Sequence, residues 1–132
     1  MSIKPRFAKM IFDGTKSIEL RRVCPKVEKG DLVMVYVSGP RMALLGSFEV
    51  GGIVMAPPAD LARDHLKASG LTREELLNYF SDKVEGYGIL IRKVWQLPQA
   101  KELKCLRKIQ TGFHPPQSYR YLGGSELMKL LR

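Results

Sequence analysis

The sequence predicts an α+β fold, a small and partly open β-barrel flanked by short helices. Three observations carry this expectation. The long apolar segment Met42–Met55 reads as a strand with Gly46, Gly51 and Gly52 inside it, and glycines within a strand mark bulges or sharp bends that curl a sheet. A helical stretch follows it and a second long strand returns at Gly86–Leu97. Strands and helices do not alternate regularly, and no GxGxxG or GxxxxGK[ST] phosphate loop occurs, which disfavours a doubly wound parallel sheet.

Each element has its own warrant. Ser2-Ile3-Lys4 forms a short strand, and Pro5 suits the first turn of a helix, where its missing N–H is no loss. Phe7, Met10 and Ile11 recur at helical spacing, with Gly14 as the stop. Thr15 and Lys16 lead tightly into a strand over Ser17–Val23. Its period of two sets Ile18, Leu20 and Arg22 on one side and Glu19 and Arg21 on the other. Pro25 and the stretch Glu28-Lys29-Gly30-Asp31 mark a turn. The valine-rich run Leu32–Val37 has the pattern of a strand buried on both faces, ended by Ser38-Gly39-Pro40. Pro57 and Pro58 open a helix in which Leu61, His65 and Leu66 share a face and which Gly70 closes. Thr72 with Glu75 makes a capping-box pattern before Leu76, Leu77, Tyr79 and Phe80. In the return strand Tyr87, Ile89 and Ile91 alternate with Gly88, Leu90 and Arg92, and a last short helix is expected around Ser125–Leu131. The total is about five strands and three or four short helices in a single domain, residues 1–132.

Composition narrows the function classes. The chain has 132 residues, 45% of them hydrophobic, enough to bury a core. No apolar run approaches the roughly 18–20 residues of a membrane-spanning helix, and the N-terminus has no apolar stretch of signal-peptide length. Cys24 and Cys105 are too few for a disulfide scaffold and too far apart for a CxxC motif. A soluble cytoplasmic protein is expected. The net charge is +9, and it lies at the two ends: residues 1–28 carry +4, residues 101–132 carry +5, and residues 29–100 are neutral. A fold that joins the ends would make one basic surface attractive to polyanions, so nucleic acid is the expected partner. A membrane surface is disfavoured, because no segment combines a broad apolar face with a polybasic one.

The stretch Gly14–Arg22, GTKSIELRR, concentrates the chemistry. A helix ends at a glycine, a lysine sits in the turn, and a strand projects Glu19 and Arg21 from one face, placing Lys16, Glu19 and Arg21 around a common cleft. Lysine and arginine suit a phosphate or an electron-rich base edge, and the glutamate suits an exocyclic amine. A surface Glu19–Arg21 ion pair, stabilising by about 0–1 kcal/mol, fits the same spacing. A second candidate is Phe113–Leu122, FHPPQSYRYL, where Tyr119 and Arg120 can stack on unpaired bases while Gln117 and Ser118 read their edges. The competing assignment has Tyr119 and Tyr121 sealing the barrel. His65 and His114 lack partners at ligand spacing, so no metal is expected. Cys24 lies among basic residues but has no orienting base, so a packing role is preferred to a catalytic one. Trp95 is assigned to packing.

Ser2–Val37 resembles the ASCH domain of the PUA-like superfamily: SIKP, a short helix, GTKSIELRR with its G-x-K-x-x-E-x-R pattern, and a buried strand introduced by Gly30-Asp31. FEVGGIV, LTREELLNYF and HPPQSYRYL extend the resemblance over most of the chain. It implies a barrel with a cleft beside the first helix that accepts RNA or a modified nucleobase, and a role in RNA metabolism or transcription regulation. One ASCH branch hydrolyses an acylated cytidine through a lysine, a threonine and a glutamate. Lys16 matches the lysine, Glu19 stands in the threonine's place, and the catalytic glutamate's place falls near Ser69, so amidohydrolase activity is disfavoured. Other ASCH proteins are credited with ribonuclease activity, for which Lys16 and Glu19 could activate a 2′-hydroxyl and Arg21 stabilise a phosphorane. The leading expectation is a non-enzymatic RNA-binding module without cofactor or metal. Lys16, Arg21 and Arg22 would contact phosphate, Glu19 would order the cleft or a base edge, and Tyr119 with Arg120 would stack. The alternatives are a hydrolase acting on RNA or a nucleoside through Lys16 and Glu19, and a peptide-binding interaction domain.

Overall fold

A computed structural model describes residues 1–37 and 42–102. Five strands and three helices occur among them: β1 (Ser2–Ile3), α1 (Pro5–Asp13), β2 (Ile18–Arg21), β3 (Leu32–Val37), β4 (Ala43–Ala56), α2 (Pro58–Ser69), α3 (Arg73–Tyr79) and β5 (Gly86–Glu102). The fold is α+β, as the sequence predicts. The strands form one mixed sheet in the order β1-β3-β4-β5-β2, with β1 parallel to β3 and the other pairs antiparallel.

The expected barrel is corrected to an open sheet. Among the described residues β1 and β2 are its two edges, and no ladder joins them. The chain crosses from one edge strand to the other through α1 instead. That helix buries Ala8 and Ile11 in a core with Val33, Val35, Phe48, Val50 and Ile89. The glycines of β4 mark irregularities in the strand as expected: register shifts fall between Leu44 and Gly46 and between Val50 and Gly52. A Cβ at Gly46 would run into the Trp95 carbonyl and lie 2.9 Å from the Phe12 ring, so only glycine lets β5 and α1 approach there.

A second apolar cluster lies on the other side of β2, where Ile18 and Leu20 pack with Leu61 and Ala62 of α2, Leu76 of α3 and Phe80. Burying those two side chains leaves Glu19 and Arg21 on the opposite face, as their spacing predicts. The helix ends follow the sequence signals. Gly14 and Gly70 cap α1 and α2 in the left-handed conformation, with φ of 84° and 73°. At α3 the Thr72 hydroxyl accepts from Glu75 N at 3.1 Å, and Glu75 Oε1 accepts from Thr72 N at 3.0 Å. His65 is half-buried on α2, and Cys24 is exposed. No helix among the described residues is long and apolar enough to cross a membrane. The helix expected at Ser125–Leu131, Cys105 and His114 lie outside the described residues.

Candidate functional site

The turn after α1 fixes the first functional side chain. Thr15 N and Lys16 N both donate to Met10 O, at 2.9 and 3.0 Å, so the chain folds back over the last turn of the helix. Ser17 N then donates to Ala68 O at 2.8 Å, and Ile91 N donates to Ser17 O at 2.9 Å. Lys16 is thereby held where α1, the end of α2 and β5 meet. Its side chain is 3% exposed. Nζ donates to Ser69 O at 2.5 Å, lies 3.9 Å from Glu19 Oε2, and stands 5.2 Å from the centre of the Phe7 ring. Ser69 is buried and anchored in turn, its Oγ donating to Leu66 O at 2.6 Å and accepting from Leu71 N at 3.1 Å. Burial holds the Lys16 ammonium below its ordinary pKa, opposed by the Glu19 carboxylate and reinforced by Arg21 and Arg6.

Lys16 opens onto a cleft of about 610 Å³. Lys4, Phe7 of α1, Glu19 and Arg21 of β2, and Asn78 and Tyr79 of α3 line it with Lys16. Glu19 Oε2 is closed off from solvent and accepts no hydrogen bond. Tyr79 donates its hydroxyl to Leu20 O at 3.3 Å, and desolvation pushes its phenol pKa up. The rim is tied by Arg6, which donates from both terminal nitrogens to the Glu75 carboxylate at 3.0 and 3.2 Å, linking α1 to α3. The Arg6 hydrogen bonds, together with the Thr72 amide, hold the Glu75 pKa down at about 2.

Lys16, Glu19 and Arg21 are thus brought together as the sequence predicts. Arg22 is directed elsewhere and pairs with Asp82 at 2.8 Å, outside the cleft lining. Gln117, Ser118, Tyr119 and Arg120 lie outside the described residues. Phe7, Tyr79 and the Arg6–Glu75 tie are features that sequence reasoning missed. Phe7 and Tyr79 were legible only as apolar positions of helices. Ser69, near the place where the resemblance sets a catalytic glutamate, does meet Lys16, but through its backbone carbonyl. Among the described residues no cluster of three or more His, Cys, Asp or Glu is arranged to hold a metal ion.

Comparison with known proteins identifies the family. The chain is similar to an ASCH domain-containing ribonuclease of Zymomonas mobilis subsp. mobilis, at 28% identity over 131 residues, covering 99% of this chain and 88% of that protein. The crystal structure of ASCH from Zymomonas mobilis matches with a TM-score of 0.90 at 27% identity, covering 98% of this chain and 90% of that one. A segment of ATP synthase subunit alpha from Ureaplasma parvum serovar 3 is 31% identical over 118 residues, which is 86% of this chain and 14% of that protein. Residues 1–109 match the ASCH domain model, and the chain belongs to the ASCH domain family.

Proposed function

We propose that the chain binds single-stranded RNA in the cleft between α1, β2 and α3. The observation that carries this reading is the convergence of Lys16, Glu19 and Arg21 on one open cleft bordered by Phe7 and Tyr79. Arg21 supplies a permanent charge for a phosphate, Tyr79 offers a ring for an unpaired base, and the cleft volume of about 610 Å³ suits one nucleotide. The net charge of +9 adds a general attraction for polyanions. Fluorescence anisotropy with labelled single-stranded RNA, duplex RNA and DNA, each titrated across salt, tests the reading. Tight binding to single-stranded RNA that weakens steeply with salt supports it. Absence of binding at low salt refutes it.

A second reading, cleavage of the bound RNA, is favoured by the 3.9 Å approach of Lys16 to Glu19 and by the name of the Zymomonas mobilis relative. Glu19 would take the proton of a ribose 2′-hydroxyl as that oxygen forms its bond to phosphorus. As the P–O5′ bond breaks, the Lys16 ammonium, already a stronger acid than usual, would give a proton to the leaving oxygen. The products are a 2′,3′-cyclic phosphate and a 5′-hydroxyl end, and a proton passing from Glu19 to Lys16 restores the site. This reading predicts cleavage that Glu19→Gln abolishes without unfolding the protein. Intact RNA after prolonged incubation with wild-type protein refutes it.

A further inference from the structure

We propose that Glu19 makes the cleft selective for guanine among the RNA bases, an inference that rests on the RNA-binding reading. Glu19 projects from the edge strand β2 into the cleft wall, with its side chain 16% exposed. Its Oε2 is cut off from water and receives no hydrogen bond, and Lys16 Nζ stands 3.9 Å from it, beyond hydrogen-bonding reach. A carboxylate oxygen withdrawn from water without a donor is costly. The fold keeps this one beside an open cleft, next to polar groups that have their partners: Lys16 on the Ser69 carbonyl, Ser69 on Leu66 and Leu71, and Glu75 on Arg6 and Thr72. The deficit at Glu19 is therefore one that a ligand donor can relieve. The last torsion of a glutamate is broad and roughly two-fold, so a small turn presents both oxygens to the cleft.

The arrangement of charges selects the base. Glu19 is acceptor-only when ionised, and Lys16 is donor-only with one ammonium proton committed to Ser69. The floor therefore reads as a donor beside a two-oxygen acceptor. Guanine matches all of it: N1–H and the exocyclic N2–H donate side by side to the carboxylate, and O6 accepts from Lys16. Adenine, cytosine and uracil each present one Watson–Crick donor next to an acceptor, and so leave one carboxylate oxygen without a partner. Paired donors on one carboxylate give strength and geometric specificity together, and a site that hydrogen-bonds a group rejects the analogue lacking it.

The test measures anisotropy of labelled uridine oligomers in which one central nucleotide is guanosine, inosine, adenosine, cytidine or uridine, at a single low salt concentration. Inosine differs from guanosine only by the missing N2 amine. Wild-type protein should bind the guanosine oligomer about tenfold or more tightly than the inosine one, and Glu19→Gln should remove that difference. Equal affinity for all five oligomers overturns guanine selection while leaving RNA binding intact. No binding to any of them overturns both readings. Because the wild-type guanosine-to-inosine ratio is decisive alone, the test stands even if the Glu19→Gln protein fails to fold.

Discussion

Replacing Lys16 by alanine and by methionine separates what its stem does for the fold from what its ammonium does for the cleft. The side chain is 3% exposed and its nitrogen is bound to Ser69 O at 2.5 Å. Alanine removes three buried methylenes, worth about 0.8 kcal/mol each, or about 2 kcal/mol in all. It also leaves the Ser69 carbonyl without its donor, a loss of about 1–3 kcal/mol. Against this, removing a desolvated cation restores a comparable amount, because burial already disfavours the charged form. Lys16→Ala should therefore unfold at lower urea concentration, with a net loss of about 2 kcal/mol, essentially that of the methylenes. Lys16→Met keeps the stem in a flexible thioether, so the lost carbonyl contact and the relieved desolvation nearly cancel, and it should stay within about 1 kcal/mol of wild type. Both variants should lose affinity for single-stranded RNA, because each removes the ammonium donor from the cleft. Urea unfolding followed by circular dichroism and anisotropy on the same preparations give the two readouts. A methionine variant as destabilised as the alanine variant, or one that binds RNA as well as wild type, would refute the reasoning.

Three further outcomes follow from particular contacts. Burial lowers the Lys16 pKa from its usual 10.5, so between the folded-state value and 10.5 the unfolded chain binds more protons and stability rises with pH; urea midpoints across alkaline pH should show this rise in wild type and not in Lys16→Met. The Glu75 carboxyl should titrate by NMR near 2 rather than at its ordinary 4.5, and Arg6→Ala should move it upward; the stability the pair contributes is present above 4.5 and is lost as pH falls toward 2. Gly46→Ala should destabilise by about 3 kcal/mol or more, because the new methyl meets the Trp95 carbonyl, which belongs to the β5 backbone and has no room to retreat; an unchanged melting temperature would contradict the close approach of β4 and β5.

Much of the site was legible in the sequence because it is built from local rules. The period of two in IELR separates Ile18 and Leu20 from Glu19 and Arg21, and the structure buries the first pair under α2 and α3. Thr72 and Glu75 announce their helix start by spacing alone, and the β4 glycines announce its bends. Features that depend on long-range closure were not legible. Whether an edge strand finds a partner is decided by distant geometry, and here β1 is only two residues long and pairs with β3, leaving the sheet open where a barrel is expected. Arg22 follows the end of β2 and is drawn to Asp82, whose left-handed φ of 67° no spacing rule anticipates. The partner of Lys16 is a backbone carbonyl, which has no side-chain signature. Tyr79 reads as a core position of α3, yet it is 37% exposed and borders the cleft. Trp95, assigned to packing, is 49% exposed.

The measurement that tests the central claim most directly is a ¹H–¹⁵N NMR titration of the full chain with a short single-stranded RNA. Binding in the cleft predicts the largest shifts at the amides of Lys16–Arg21 and of Asn78 and Tyr79, with saturation at one RNA per chain. Large shifts confined to residues remote from the cleft, with the Lys16–Arg21 amides unmoved, would contradict it.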